Sequence, residues 1–305
     1  MARHTIEPER STVHGHFSKD LPPILEINPG DTVRFRTLEA GWSLEPPPGA
    51  GTERRFIEPR VEGKDDGHCL CGPVAIKGAQ AGMCLEIKIE KIVPGTWGWS
   101  GAGGHSDLAI EEQGWQPYLW QLNAETMTGE DDDGHRVALR PFMGVMGMPP
   151  AEAGDHGTGP PRTCGGNLDC KELVPGTQLF LPVAVAGGLF SVGDGHAVQG
   201  DGEVSGVAIE CPMECVELTF HLHDMRLSTP RARTAQGWMT LGLDKDLNEA
   251  TRLALSGMLD LMVEQHGMGR KEALALASLV VDLRITQIVN GTRGVHAVLP
   301  DGALL

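Results

Sequence analysis

The sequence lacks any long apolar run and is short of positive charge. Across the 305 residues there is no stretch of about 18 consecutive apolar residues, so no membrane-spanning helix is predicted. Lysine and arginine together number 25 against 41 aspartates and glutamates, which gives a formal net charge of −16. A surface of this sign repels phosphate groups, which excludes nucleic acid and anionic membrane surfaces as expected partners. We expect a small or neutral ligand instead.

The sequence also lacks the cysteine spacing of a zinc ribbon and the apolar centre of a secretory signal. The seven cysteines form an odd set without zinc-ribbon spacing, and we interpret them as reduced, small hydrophobic residues. The start of the chain, MARHTIEPERSTVHGHFSKD, is polar and lacks the apolar centre of a secretory signal. These features predict a cytoplasmic protein.

Short strands dominate the expected secondary structure before about residue 230. In VRFRT, Val33 and Phe35 alternate with two arginines directly after the turn signal NPGD. Leu85, Ile87 and Ile89 alternate with charged residues in the same way. Because no helical pattern separates these strands, the sequence predicts a mainly β fold with an antiparallel, sandwich-like core and long loops.

Two regions depart from this strand pattern. Residues from about 99 to 166 are rich in glycine, proline, tryptophan and acids, and we predict a long loop insertion there. From Asp246 the apolar residues recur at about 3.6-residue spacing, and Gly267 is placed to end a helix before a second helical stretch. We therefore predict a β-rich region over 1–245, and a helical hairpin with a final strand over 246–305 that packs on it within one integrated domain.

The stretch SVGDGHAVQGDGEVSG, residues 191–206, carries many ligand-type side chains on a glycine-rich backbone. It contains no lysine or arginine and is followed by a predicted strand, which excludes a phosphate or dinucleotide cradle. Asp194 and His196 are two residues apart, as are Asp201 and Glu203, so each pair points to one side of an extended backbone. Such donors suit Zn²⁺, Mn²⁺ or Ca²⁺. From spacing alone, a metal site and a solvated acidic loop both remain open.

Three segments together resemble the acetamidase/formamidase family. They are HCLCGPVAIKGAQAGMCLEIKI at 68–89, GGNLDCKELVPGTQLFLPVAVAGGLFSVGDGHAVQGDGEVSG at 165–206 and DLRITQIVNGTRGVHAVLP at 282–300. The middle segment is the most specific, because its order of GGN-x-D followed by the glycine-rich stretch is long and unusual. The resemblance covers nearly the whole chain. It implies a β-sandwich-like, cytoplasmic enzyme that forms a homodimer or larger homo-oligomer and hydrolyses short aliphatic amides, such as formamide or acetamide, to a carboxylate and ammonia.

The resemblance also implies a set of site residues. The positions that match the family's motifs are His68, Asn167, Asp169, Asp194, His196, Gln199, Asp201 and Glu203. An amide is a poor electrophile with a poor leaving group, so its hydrolysis needs an activated nucleophile, a stabilised oxyanion and a proton for the departing nitrogen.

Each of these positions has an expected role. We expect a divalent metal, zinc or alternatively calcium or manganese, and the expected metal ligands are His68, Asp169, Asp194 and His196. The expected catalytic residues are Glu203, as general base and acid, together with His196 and Asp194. Asn167, Gln199 and Asp201 are expected to bind the substrate. A weaker variant has the carboxylates and the histidine acting without a metal.

Two other interpretations stay open at the level of sequence. Cys164 or Cys170, which flank GGN-x-D, could act as a nucleophile, although nothing in the sequence marks either thiol as unusually acidic. The chain could also be a non-catalytic β-sandwich binding module with a structural calcium site. Convergence of His68, Asp169, His196 and Glu203 on one concave pocket would favour catalysis over that module.

Four tryptophans lie in or next to the region predicted as a long loop. The tryptophans there are Trp97, Trp99, Trp115 and Trp120. They could cap a small pocket, but we interpret them as core or subunit-interface residues, because tryptophan brings a large buried area.

Overall fold

A computed structural model describes residues 1–46, 55–102 and 114–304. The described residues form strands for the most part, with two helices late in the chain. In chain order the elements are β1 (Arg3–Ile6), β2 (Val13–His14), β3 (His16–Phe17), β4 (Leu25–Ile27), β5 (Thr32–Thr37), β6 (Leu70–Ile76), β7 (Cys84–Pro94), β8 (Trp97–Ala102), β9 (Gln116–Asn123), β10 (Thr128–Asp131), β11 (Arg136–Ala138), β12 (Phe142–Gly147), β13 (His156–Gly157), β14 (Gly165–Asn167), β15 (Gln178–Pro182), β16 (Phe190–His196), β17 (Met213–His223), β18 (Arg231–Arg233), β19 (Gly237–Asp244), α1 (Leu247–His266), α2 (Arg270–Val280), β20 (Asp282–Gln287) and β21 (Arg293–Pro300).

Two sheets carry most of the strands. The larger has nine strands in the order β1, β5, β17, β7, β15, β18, β19, β21 and β20. The smaller has the order β14, β12, β16, β6 and β2, with β4 beside β6. Strand pairs within both sheets are antiparallel except β1 with β5 and β4 with β6. Strands β8 to β11 form a separate antiparallel sheet, and β13 pairs with β3.

An apolar core lies between the two large sheets. The alternation in VRFRT places Val33 and Phe35 of the larger sheet in this core while the arginines beside them are exposed. Phe190 of β16 and Phe220 of β17 meet edge to face across the core, with ring centroids 5.0 Å apart. The prediction of a mainly β, antiparallel, sandwich-like fold is confirmed.

The late helical hairpin is also confirmed. The side chain of Asp246 caps α1 by accepting hydrogen bonds from the backbone N–H groups of Asn248 and Glu249. Gly267, with a φ of 66°, ends α1 in the left-handed conformation that glycine adopts without strain. Because β19, β20 and β21 all belong to the nine-stranded sheet, this sheet runs across the expected boundary at residue 245. The division at that residue stays a prediction.

Strands occupy much of the region from about 99 to 166, where we predicted a long loop. The described part of this region contains β9 to β13 in full, and residues 103–113 lie outside the described part of the chain. Glycine in this region allows neighbouring strands to approach closely. A Cβ on Gly147 of β12, for example, would lie 2.1 Å from the backbone nitrogen of Gly166 in β14. The loop-like amino-acid composition of this region is therefore found partly in buried strands.

All seven cysteines are buried and free, in agreement with their interpretation as small reduced hydrophobic residues. Within the described ranges, no helix has both the length and the apolar character needed to cross a membrane.

Candidate active site

A cavity of about 620 Å³ opens at the end of the smaller sheet, where the glycine-rich stretch leaves β16. Asp194 and His196 reach it from β16, and Asn167 reaches it from β14. Glu203 comes from the turn that follows β16. Asp169 lies two residues beyond β14 and belongs to the same group of buried ionisable side chains.

Gly144 of β12 makes room for this group. A Cβ built on Gly144 would lie 2.4 Å from Oδ2 of Asp194, 2.7 Å from Oδ1 of Asp169 and 2.9 Å from Cε1 of His196. All three distances are below van der Waals contact, so the three side chains converge on the space that a side chain at residue 144 would fill. A glycine at this position is therefore a packing requirement of the site.

His196 is the centre of two groups of possible ligand atoms. One atom each from Asp169, His196 and Glu203 lie within 4.8 Å of one another, and the same holds for Asp194, His196 and Glu210. Nε2 of His196 is 3.4 Å from Oδ1 of Asp194 and 3.3 Å from Oε2 of Glu210. All five residues are buried.

Gln199 fixes the orientation of the His196 ring. Its side-chain Nε2 donates to the backbone carbonyl of Asp169 at 2.9 Å, so its Oε1 faces Nδ1 of His196, also at 2.9 Å. Because an amide oxygen can only accept, Nδ1 of His196 carries the hydrogen and donates it. Nε2 therefore faces the carboxylates, as in a histidine metal ligand whose other nitrogen is held by a neighbour.

The carboxyl groups of the site strongly affect one another's ionisation. Burial raises the pKa of Asp169 well above its usual value, and the charge of Glu203 raises it further. Burial likewise raises the pKa of Glu203 to about 8 and raises the pKa of Glu210. The cluster therefore holds more acidic groups than a buried site can keep ionised without a compensating positive charge.

The pKa values of Asp194 and His196 shift in the opposite sense, toward the charged forms. Burial favours neutral Asp194, but its electrostatic interactions with His68 and His196 outweigh burial and lower the Asp194 pKa. Burial also favours neutral His196, but Glu210 and Asp194 outweigh it and raise the His196 pKa well above its usual value. The shifts favour the charged forms of both residues, and a bound cation would take the place of the proton on Nε2 of His196.

Backbone strain is concentrated at the site. Asp169, Asp194 and Glu203 have φ angles of 45°, 59° and 48°, and Trp42 of the cavity wall has a φ of 71°. Only two other non-glycine residues of the described chain have a positive φ. Residues with side chains adopt this conformation at a cost of about 1–3 kcal/mol each, and such strain is characteristic of functional sites.

The remaining predicted residues take different positions. His68 lines the cavity, where its Nδ1 is 2.9 Å from Oγ1 of Thr158, but it belongs to neither group of possible ligand atoms. Asn167 also lines the cavity, and its buried Oδ1 has no hydrogen-bond partner among residues 1–46, 55–102 and 114–304. Asp201 is turned aside and pairs with Lys171, whose Nζ is 3.1 Å from Oδ2 of Asp201.

The four residues whose convergence we expected to favour catalysis over a binding module lie close together in the structure. His68, His196 and Glu203 line one cavity, and Asp169 contributes to the same buried cluster. This arrangement favours catalysis.

Three residues of the site were missed in the sequence. Glu210 lies directly opposite His196 in an antiparallel backbone bridge. The sequence feature that could have indicated Glu210 is its position as the single acidic residue in the apolar segment VAIEC. Asn290, from the third motif segment, donates through Nδ2 to Oδ2 of Asp169. Trp99, which we interpreted as a core or interface residue, lines the cavity.

The cysteine nucleophile finds no support in the geometry. Cys164 and Cys170 do not line the cavity. Burial raises the pKa of Cys164 to about 11 and that of Cys170 to about 12, so both thiols stay protonated near neutral pH.

Comparison with known proteins agrees with this architecture. The model of the acetamidase/formamidase family matches residues 2–156 and 151–234. The chain belongs to the acetamidase/formamidase family. Two solved structures share its fold. One is a protein of the thermophile Thermoanaerobacter tengcongensis described as a predicted acetamidase/formamidase, with a TM-score of 0.86, 24% identity and coverage of 99% of this chain and 97% of that chain. The other is an acetamidase of Bacillus halodurans, with a TM-score of 0.83, 28% identity and coverage of 97% of each chain.

A formamidase of Methylophilus methylotrophus is also similar to this chain. It is 25% identical over an alignment of 252 residues that covers 63% of this chain and 60% of that protein. The matched part therefore spans less than two thirds of that formamidase's length.

Proposed function

We propose that this member of the acetamidase/formamidase family hydrolyses the C–N bond of primary amides, releasing a carboxylate and ammonia. Formamide and acetamide, the amides for which its relatives are named, are the first substrates to test. The observation that supports this proposal most strongly is the convergence of Asp169, Asp194 and His196 on the side-chain space left by Gly144, with Glu203 beside them at the cavity.

A divalent cation fits the donors of this cluster. Oδ1 of Asp169, Oε2 of Glu203 and Oε2 of Glu210 are buried and have no hydrogen-bond partner within the described part of the chain. A buried carboxylate oxygen without a partner is costly, and a cation would satisfy these oxygens. Carboxylates with one imidazole and no thiolate suit zinc, manganese or calcium.

We propose that the residues that would hold the cation are Asp169, Asp194, His196 and Glu210, with His68 at the edge of the cavity as a further candidate. Glu210 is an addition to the ligand set expected from the sequence. When bound, the cation would supply Lewis-acid polarisation and lower the pKa of water.

The residues of the chain supply the remaining steps. Glu203, whose Oε2 has no hydrogen-bond partner among the described residues and whose pKa is raised to about 8, takes a proton from the attacking water and delivers it to the departing nitrogen. Asn167 lines the same cavity, and in this proposal its side-chain amide N–H donates to the carbonyl oxygen of the substrate. Gln199 holds the ring of His196, and Asn290 holds the carboxylate of Asp169.

Glu203→Gln tests this assignment directly. General acid–base catalysis contributes about 10²- to 10⁴-fold, so we expect kcat for ammonia release to fall by at least about 100-fold. Glu214→Gln is the matched control, because Glu214 is 53% exposed and pairs only with Arg36 among the ion pairs of the described residues. Unchanged turnover in Glu203→Gln would show that Glu203 is not the general acid and base. If neither the wild type nor the control variant released ammonia, the proposed activity would be refuted.

A homo-oligomeric assembly and a cytoplasmic location stay predictions. Light scattering during size-exclusion chromatography would measure the mass of the assembly, and a mass equal to the 32.6 kDa chain would contradict the predicted oligomer.

A further inference from the structure

We propose that the preferred substrates are primary amides whose acyl group carries a planar apolar ring, and that Trp99 determines this preference. The inference rests on the proposed amide hydrolysis and extends it to a substrate class. It starts from a mismatch between the cavity and the amides for which the relatives are named.

The cavity is much larger than a short aliphatic amide. A water molecule occupies about 30 Å³ in the liquid, so formamide and acetamide, with three and four non-hydrogen atoms, take on the order of 100 Å³. The cavity measures about 620 Å³, within the range of about 300–1,000 Å³ that is usual for sites that enclose much larger ligands. Acetamide would leave most of this space without protein–ligand contacts.

Trp99 stands next to the reacting groups. Its backbone pairs with that of Glu210, through N–H···O distances of 2.9 and 2.8 Å, and Glu210 pairs in turn with His196. Residues directly opposite each other in antiparallel pairing have side chains on the same face, about 4.5–5.5 Å apart at Cβ. The side chains of His196, Glu210 and Trp99 therefore form a row, and the indole lies beside the reacting groups in the wall of the cavity.

The indole of Trp99 is held in place. Its Nε1 donates to Oε2 of Glu39 at 3.0 Å, and Trp115 packs against its ring edge to face, with centroids 6.2 Å apart. Since the indole N–H is already used, the ring offers a ligand only apolar, planar surface. A wall that is ordered before binding loses little entropy when a ring stacks on it.

The neighbouring wall is fixed by the same carboxylate. Glu39 is fully buried, and its oxygens also accept the backbone N–H groups of Gly41 and Ser43. These bonds hold the Ala40–Trp42 segment, which lines the cavity, and Nε1 of Trp42 donates to the carbonyl of Gly67 at 2.8 Å. The indole N–H of Trp42 is therefore used within the protein, and its ring is buried, so Trp42 holds the wall in place beside Trp99.

The test compares kcat/KM for acetamide, cyclohexylacetamide and phenylacetamide, with the purified full chain at its measured metal content. A single methylene in an apolar pocket changes kcat/KM by about 10- to 200-fold, so we expect phenylacetamide to exceed acetamide by at least about tenfold. We also expect it to exceed cyclohexylacetamide, because the latter lacks a planar ring. Acetamide equal to or better than phenylacetamide would overturn the inference and leave the proposed amide hydrolysis intact.

Variants then locate the preference. Trp99→Ala and Trp99→Leu should each lower the ratio of phenylacetamide to acetamide kcat/KM by about tenfold, the range seen for removal of stacking and buried area together. Trp238→Ala is the matched control, because Trp238 is half-buried on β19 outside this cavity and should keep the wild-type ratio. A ratio unchanged in both Trp99 variants would overturn the role of Trp99.

Binding separates failure of this inference from failure of the proposed function. If no amide releases ammonia, the proposed hydrolysis is refuted, and calorimetric titration of the wild type with phenylacetamide and acetamide still examines the cavity. At least about tenfold tighter binding of phenylacetamide would support the aromatic site, and equal or weaker binding would overturn it.

Discussion

Gly144 offers the sharpest test of the site's geometry, because alanine there adds a single carbon atom. The φ of Gly144 is not among the positive values of the chain, so alanine fits the backbone and its effect is steric alone. Its Cβ would meet Oδ2 of Asp194 at 2.4 Å and Oδ1 of Asp169 at 2.7 Å. Relief of these contacts requires each carboxylate to move by about 0.5–1 Å to reach ordinary packing distances.

The size of the effect follows from that displacement. A misplacement of about 1 Å in a catalytic group costs about 10²-fold in rate, so we expect kcat/KM of Gly144→Ala to fall by about 30- to 100-fold. Overpacking of a close-packed interior costs about 1–3 kcal/mol of stability, which is less than the roughly 5–15 kcal/mol of a typical native protein and should leave the protein folded.

The assay is ammonia release from the best amide substrate, with thermal unfolding and metal content measured on the same samples. Gly269→Ala is the control, because a Cβ on Gly269 meets nothing within 4 Å and the residue lies at the start of α2, away from the cavity. Activity of Gly144→Ala within about threefold of the wild type would show that the two carboxylates need not hold these positions, and would refute the reasoning.

Two further predictions concern residues around the cluster. The Lys171–Asp201 ion pair ties the segment after Asp169 to the turn that carries Glu203, so Asp201→Asn and Lys171→Met should each lower kcat by about three- to tenfold with little change in KM. A rise in KM confined to Asp201→Asn would instead show direct substrate binding by Asp201. The thiols should not react with iodoacetamide at pH 8 in the folded protein, because all seven are buried and the pKa of each thiol is raised. Mass spectrometry of labelled protein checks this, and rapid labelling of any cysteine before unfolding would contradict it.

The sequence predicted secondary structure well where residues that are close together in the chain determine which side chains are buried. Alternation around Val33 and Phe35 indicated strands, and the change of period after Asp246 indicated the helical hairpin, because side-chain periodicity reports which face is buried. The motif residues Asp169, Asp194, His196 and Glu203 were assigned through resemblance to the motifs of the family, which two short segments carry.

What the sequence could not provide depends on strand register. Glu210 and Trp99 belong to the site because the backbone of Glu210 pairs both with His196 and with Trp99, which is far away in the chain. No local pattern encodes that pairing. Glycine-rich β12 was read as loop for a related reason, since its glycines serve contacts with Asp194 and with β14 that composition alone does not show.

Ammonia release by the purified protein, measured with formamide, acetamide and phenylacetamide before and after chelation, tests the central claim most directly. The account predicts release of ammonia with an equal amount of carboxylate, loss of that activity on complete removal of divalent metal, and its return when one metal is added back. No ammonia from any of these amides would contradict the claim that this buried cluster is an amidase site. Full activity in protein shown to contain no metal would contradict the part of it that places a cation among Asp169, Asp194, His196 and Glu210.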